Sequence, residues 1–474
     1  MPAPLYQTQS GRLFNAGRIL IATVGLPGRG KTHLSHAIQR YLRWLGVRCC
    51  VFSLGDIRRE VVGPAMELPQ DYFGPGTKDP HTEQMRRTVI ERTESEILAF
   101  YANGGQVAIY DASNSSRTRR FCVRDLFESH GVQVMFIESL CDDERIIEEN
   151  VRGVWRSSPD YYNIPFEDAL ANFKHRIELH ELQYEPIVAP TFTHVQVQNL
   201  GMRMVVNNVV GYLQNRIVFF LMNFHPFNRV IYFARTGEAL IEGVYKADAD
   251  LSPLGCKYAE QLCRFITFLR QPRSDNHMEP QQEHNVSWLT SEGLPFPEFG
   301  DGKRRPLQVW VSTRKRSLET IAPLRSTDCR IIEMTRLVEI NPGVVDGMSE
   351  EEIERRFPGA LAERDREPYA FRFPRGESVH DLAVRLEPTI FELERTRDDV
   401  LIVAEPSVLR CIIAYLQGNH PSEIPFIQVR EGDLVAIWPQ AYGVSSRVYN
   451  FWDPEHMREV RDDEIARSAA VQPS

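Results

Sequence analysis

The chain has 474 residues, which is long for one domain, so two domains of ordinary size are expected. Its composition is globular: 42% hydrophobic and 25% charged, with 16 Tyr and 6 Trp to build cores. A formal charge of −9 argues against a general nucleic-acid or membrane-surface binder but leaves room for the local basic pockets that phosphate ligands need.

The opening stretch MPAPLYQTQSGRLFN has no apolar core of signal-peptide length, and the longest apolar run, residues 217–222, is far too short to span a bilayer. No membrane partner is therefore expected. Eight cysteines are scattered without a C-x-x-C pair, which suggests reduced thiols in a cytoplasmic protein.

The first predicted element is a β-branched strand at residues 19–24, followed by the glycine-rich turn GLPGRGKT at 25–32 and a helix-like pattern to Trp44. The turn matches G-x-x-x-x-G-K-[ST] in full. Gly25, Gly28 and Gly30 let the backbone bend so that successive N–H groups face one anion, and the following helix adds its positive end. Lys31 is expected on the β- and γ-phosphates of ATP, and the Thr32 hydroxyl on Mg²⁺. A second strand is predicted at 48–54, with Arg58 and Arg59 just past its end, where ligands bind in open parallel sheets. Arg86 is expected at the start of a long amphipathic helix that closes at Asn103-Gly104-Gly105. The third strand, 106–111, ends in Asp111, a carboxylate able to hold the Mg²⁺ water shell or accept a proton from an attacking hydroxyl. After it, DASNSSRTRR combines small hydroxyls with Arg117, Arg119 and Arg120 as a candidate phosphate loop. A further strand at 132–137 leads into ESLC, and the alternation of strands and helices predicts a mostly parallel α/β sheet.

The segments GLPGRGKT, YLRWLGV, RREVV, DASNSSRTRR, ESLC, SSPDYYN and FKHRIELHELQYE resemble the kinase domain of the 6-phosphofructo-2-kinase/fructose-2,6-bisphosphatase family. The resemblance implies transfer of the ATP γ-phosphoryl group to the C2 hydroxyl of fructose 6-phosphate. It implies Lys31, Asp111 and Cys141 at catalytic positions, and Thr32 and Asp111 as Mg²⁺ positions. Asn150 and Arg156 fall on the nucleotide side with the P-loop, while Arg59, Arg86, Ser113, Arg119, Arg176 and His180 fall on fructose 6-phosphate positions. Two positions depart from the family pattern: Trp155 stands where a lysine is usual, with Arg156 beside it, and His180 replaces a tyrosine.

A new strand is predicted at 229–234, and from there the chain resembles the bisphosphatase domain of the same family, a histidine-phosphatase-like α/β fold. The matching segments are VSTRKRSLET, EINPGVVDGMSEEEIERRFPG, FRFPRGESVHDLAVRLEP and LIVAEPSVLRCIIAYLQG. Arg235, Arg316, Glu339 and Arg372 are retained, but the two family histidines are replaced by Thr236 and Glu405, and Pro368 falls on a sugar-phosphate lysine. A hydroxyl needs an adjacent base to become a nucleophile, and none is visible near Thr236 in the sequence. Glu405 puts a carboxylate where phosphate should sit, and at ~4 Å a like-charge pair costs about 4 kcal/mol at an effective dielectric of ~20.

The expected organisation is a P-loop kinase domain over 1–228, an inactive phosphatase-like domain over 229–452, and a charged, disordered tail over 453–474. The family's habit implies a homodimer. The alternatives are a bifunctional enzyme using Thr236, a non-catalytic nucleotide sensor, and a kinase for another small metabolite.

Overall fold

A computed structural model describes residues 17–69, 71–76, 79–161, 163–188, 190–225, 229–240, 249–270, 305–440 and 443–453. Residues 226–228 at the expected domain join, and 454–474 of the expected tail, lie outside the described residues.

The first half alternates β1 (Arg18–Val24), α1 (Lys31–Trp44), β2 (Cys49–Ser53), α2 (Leu54–Val62), α3 (Pro80–Ala102), β3 (Val107–Asp111), α4 (Arg117–Ser129), β4 (Val132–Leu140), α5 (Glu144–Ser157) and α6 (Phe166–Glu181), then β5 (His194–Gln198), β6 (Arg203–Asn207) and α7 (Tyr212–Asn223). Its sheet runs β2-β3-β1-β4-β5-β6, parallel except for the β5–β6 edge pair. β1 is wholly buried beyond Arg18 because helices cover both faces, which is why its sequence is apolar from Ile19 to Val24 except for Thr23. α3 begins at Pro80, nearly two turns before Arg86. Asp79 caps it by accepting from the His81 and Thr82 amides at 3.1 and 3.2 Å, and proline suits the first helical position.

The second half holds β7 (Ile231–Arg235), α8 (Pro253–Leu269), β8 (Leu307–Val311), α9 (Lys315–Thr320), β9 (Cys329–Glu333), the short α10 (Glu350–Arg356) and α11 (Ala360–Arg366), α12 (Val379–Arg395), β10 (Asp399–Ala404), α13 (Pro406–Gln417), β11 (Asp433–Gln440) and β12 (Gly443–Asn450). The sheet order is β12-β11-β7-β10-β8-β9, with β11 antiparallel to both its neighbours. β7 starts two residues later than its sequence suggests. Arg229 lies just before it, 1% exposed, and its guanidinium donates to the Leu393 carbonyl at 2.7 Å.

The two halves share one apolar core, in which Ile21, Tyr41 and Phe220 join Trp310, Leu386 and Ile412. α1 and α7 of the first half pack on α12 and α13 of the second. Tyr41 stacks on Phe220 with centroids 4.6 Å apart, Phe219 meets Phe391 edge-on at 5.1 Å, and Trp44 meets Tyr415 at 5.9 Å. Polar groups fix the seam. Tyr41 donates to Glu387 at 3.0 Å and Arg216 pairs with the same carboxylate. Glu394, 2% exposed, accepts from the Tyr415 hydroxyl at 2.7 Å and lies 3.4 Å from Arg40 and 3.6 Å from Arg229. Removing one member of such a buried set strands the others. Glu394→Ala is accordingly expected to cost roughly 3–5 kcal/mol, read as a fall in denaturation midpoint. A loss below about 1 kcal/mol, the scale of an exposed pair, would mean that these charges do not hold the seam.

Candidate active site

The C-terminal ends of β1 and β3 lie side by side, with Ile21 paired to Ile109 and Ala22 to Tyr110. β1 leads into the P-loop and β3 ends at Asp111, so the sheet itself brings the two motifs together. The Thr23 hydroxyl ties the strand ends, lying 2.7 Å from the Ala112 carbonyl and accepting from the Ala112 amide at 3.0 Å.

Gly25 has φ 138°, and a side chain there would meet the Ser139 carbonyl at 2.5 Å, so only glycine lets the turn pass β4. Gly30, at φ 79°, opens α1 with no side-chain cap and no acidic residue in the first turn. The helices α2 to α5, by contrast, are capped by Ser53, Asp79, Ser116 and Asp143. The N–H groups at the start of α1 are thus left for an external anion. Lys31 Nζ donates to the Leu26 carbonyl at 2.7 Å, and burial pushes its ammonium down to about 8. A cation in that state gains most from an incoming phosphate. Thr32 Oγ1 donates to Asp111 Oδ2 at 2.8 Å, and Asp111 is 5% exposed. One hydroxyl beside one carboxylate fits Mg²⁺, which uses few protein ligands and takes the rest from phosphates and water. The Asn150 amide donates to the Gly28 carbonyl at 2.9 Å and steadies the loop.

Two cavities meet at Asp111. One, of about 160 Å³, is lined by Gly28, Gly30, Lys31, Thr32, Arg59 and Asn150 among others. The second, of about 300 Å³, is lined by Arg86, Ser115, Ser116, Arg119, His180 and Gln183 among others. Gly55, Arg58, Asp111, Ala112, Ser113 and Arg176 line both. In the larger cavity Arg86 donates to the Gly74 carbonyl at 2.9 Å, and Arg119 is held by Glu94 at 2.6 Å and the Tyr110 hydroxyl at 2.9 Å. Arg176 donates to the Tyr161 hydroxyl at 3.0 Å and lies 4.4 Å over the Phe73 ring. Burial, and then the positive charges of Arg176, Lys31 and Arg86, push His180 down to about 3. Its imidazole therefore faces the cavity neutral, and its buried Nδ1 has no partner among the described residues.

Cys141 and Arg156 differ from the other sequence candidates. The Cys141 thiol lines neither cavity, and burial raises it above the ordinary thiol range. The side chain of Arg156 lies outside the described residues. Sequence reasoning missed Asp160, 6% exposed, which accepts from Arg58 at 2.6 and 2.7 Å, from Arg59 at 3.0 Å and from the Ala65 amide at 3.0 Å. It also missed Glu94, Tyr161 and Phe73, which orient the cavity arginines. An acid inside SSPDYYN was the only available signal for Asp160.

In the second half, Thr236 Oγ1 donates to Glu405 Oε1 at 2.7 Å, and Arg316 pairs with the same oxygen. This corrects the sequence expectation that no base stands next to Thr236, since the carboxylate is within hydrogen-bond reach. Arg235 stands beside Thr236 at the end of β7, while Arg372 is 3.2 Å from Asp381 in the capping box of α12. Glu339 presents its carbonyl to Arg385 at 3.2 Å. Arg410 was not anticipated. Burial, and then the charge of Arg235, push its guanidinium below the usual range, and the buried Nε atoms of both arginines have no partners among the described residues.

A family model for 6-phosphofructo-2-kinase matches residues 6–228, and one for the histidine phosphatase superfamily (branch 1) matches residues 301–451. The chain is 34% identical over 430 residues to a 6-phosphofructo-2-kinase/fructose-2,6-bisphosphatase of Gallus gallus, covering 90% of this chain and 83% of that protein. A putative enzyme of the same description from Saccharomyces cerevisiae is 34% identical over 443 residues, with 92% and 84% covered. The human 6-phosphofructo-2-kinase/fructose-2,6-bisphosphatase 1 is 34% identical over 436 residues, with 91% and 84% covered.

Proposed function

The chain belongs to the 6-phosphofructo-2-kinase/fructose-2,6-bisphosphatase family and is an ATP-dependent 6-phosphofructo-2-kinase, and we propose that its two adjoining cavities divide the reaction between them. The smaller takes the ATP phosphates on the P-loop amides and Lys31. The larger takes fructose 6-phosphate, with Arg86, Arg119 and Arg176 around its phosphate and the neutral His180 as a hydrogen-bonding group. Asp111 at the junction carries this reading, because it borders both cavities and touches the Thr32 hydroxyl. The C2 hydroxyl attacks the γ-phosphorus as the bond to the β,γ-bridging oxygen breaks, and Asp111 holds the released proton. Mg²⁺ at Thr32 and Asp111 would neutralise charge on the β- and γ-oxygens. Positioning and charge neutralisation are most of what phosphoryl transfer requires, which suits a site built from arginines. Incubation with ATP, Mg²⁺ and fructose 6-phosphate should yield fructose 2,6-bisphosphate. ATP turnover that ignores the sugar phosphate would overturn the assignment.

The division of labour predicts a kinetic split. Arg86→Ala should raise the KM for fructose 6-phosphate at least tenfold and leave the KM for ATP within about threefold, because Arg86 lines the larger cavity alone and a charge-assisted contact to phosphate is lost on one side only. Arg176→Ala, at a residue that borders both cavities, should raise the KM for fructose 6-phosphate more than that for ATP. A shift confined to ATP would reverse the roles of the cavities.

We further propose a kinase domain ending near residue 228 and a phosphatase-like domain without hydrolytic activity that braces α1 through the shared seam. The protein is proposed to be cytoplasmic; among the described residues no helix is long and apolar enough to cross a membrane. A homodimer is proposed, supported by the edge strand β6, where Val205 and Val206 are 38% and 47% exposed, and sedimentation would test it.

A further inference from the structure

A third cavity, of about 240 Å³, lies on the seam between the two halves and belongs to neither site described above. Its floor is one face of α1: His36, Gln39, Arg40 and Arg43, spaced i, i+3, i+4 and i+7. Its other walls are Gln417 and Gly418 at the end of α13, and Val444 and Ser446 on β12. A helix face turned toward a packed partner is normally apolar. Here it is basic and amidic, and it borders empty space.

The polar groups are only partly satisfied from within. Arg40 is 7% exposed, and its buried Nε has no partner among the described residues. The carboxylate near it, Glu394, is shared with Arg229 and the Tyr415 hydroxyl. Arg43 donates through Nε to the Cys49 carbonyl at 3.1 Å. With the Gln39 amide oxygen turned toward it, its Nη2 donates there at 3.1 Å. Among the described residues no carboxylate pairs with Arg43. Burial holds His36 below the usual imidazole range, so it offers a neutral hydrogen-bonding ring. Gly418, at φ 71°, closes α13 without a side chain, and a Cβ there would sit 3.6 Å from the stem of Arg40.

We propose that this cavity is a binding site for a small multivalent oxyanion, a phosphate monoester or a polycarboxylate, held by Arg40 and Arg43 with Gln39, Gln417 and Ser446 as hydrogen-bonding partners. A nucleotide is disfavoured, because among the described residues Val444 is the only apolar wall and no aromatic ring lines the cavity to stack on a base. The site is coupled to the kinase through α1 itself. The same rigid helix carries Lys31 at its start and Arg43 in its last turn, about 18 Å apart at 1.5 Å per residue. An anion that changes the affinity for ATP must have its own affinity changed by ATP by the same factor.

Binding can be measured without turnover, so the test is independent of the proposed kinase roles. The full chain is saturated with a non-hydrolysable ATP analogue, Mg²⁺ and fructose 6-phosphate to fill the kinase cavities, and sulfate is titrated in by calorimetry. One saturable site per chain is expected. Arg43→Met should weaken it at least tenfold, and so should Ser446→Asp, which sets a negative charge on the opposite, exposed wall. Ser446→Asp decides the matter if Arg43→Met does not fold. Parallel titrations with glycerol 2-phosphate and tricarballylate identify the preferred class by which binds more tightly. Absence of a saturable sulfate site in the wild-type chain, or equal affinity in the variants, would overturn the proposal and leave the cavity to water.

Discussion

Replacing Lys31 with methionine is expected to lower kcat for fructose 2,6-bisphosphate formation at least a hundredfold, about 2.7 kcal/mol at 1.36 kcal/mol per tenfold. Charge builds on the β- and γ-phosphates as the bridging bond breaks, and a preorganised cation in a desolvated site is worth more there than in water. The fold should survive. Without ligand, Lys31 makes one side-chain hydrogen bond among the described residues, to the Leu26 carbonyl, and burial already disfavours its charge. Methionine removes a poorly solvated cation, so Tm should be unchanged or slightly raised. That combination, lost turnover with an undiminished Tm, separates a role in the reaction from a role in folding. A variant that keeps more than about a tenth of wild-type kcat, a barrier change under 1.36 kcal/mol, would refute the assigned role of the P-loop lysine.

The second large effect concerns the other half. Wild-type protein is expected to release no phosphate from the 2-position of fructose 2,6-bisphosphate. Thr236 does have a carboxylate at 2.7 Å, but that carboxylate is itself the obstacle. Glu405 lies against both Thr236 and Arg316, so it takes up the guanidinium that a substrate phosphate would need and presents a negative charge to it. A carboxylate paired with arginine is also a weak base for an alcohol. Introducing Thr236→His together with Glu405→His should restore hydrolysis in part. The imidazoles would stand beside Arg235, Arg316 and Arg410, now without the competing carboxylate. Recovery should stay partial because Pro368 supplies no charge to the sugar phosphate. The assay is release of radiolabel from the 2-position. Wild-type release that passes through labelled protein would show another residue acting as nucleophile.

Much of the first site was legible from sequence because its signals are local. The glycine spacing, the apolar strand before it and the amphipathic helix after it occupy fewer than thirty consecutive residues and carry their own geometry. Asp111 could be placed because a buried parallel strand ends where its apolar run ends. The missing histidines at positions 236 and 405 were legible for the same reason, as substitutions inside otherwise intact motifs.

What the chain does with its charges over long distances was not legible. Arg58 and Arg59 read as candidate ligand groups just past a strand end, yet Arg58 is 4% exposed and locked to Asp160, 102 residues away. Thr236 and Glu405, 169 residues apart, meet only because β7 and β10 are neighbours in register. The seam is a similar case: Arg40 finds Glu394 across 354 residues, and the basic face of α1 becomes the floor of a cavity only once α13 and β12 close over it. The sequence by itself determined which segments are strands, helices and phosphate turns, because periodicity and backbone freedom act over a few residues. The tertiary structure alone decided which charges neutralise each other and which are left facing a cavity, because that depends on desolvation and on partners that only the folded chain brings together.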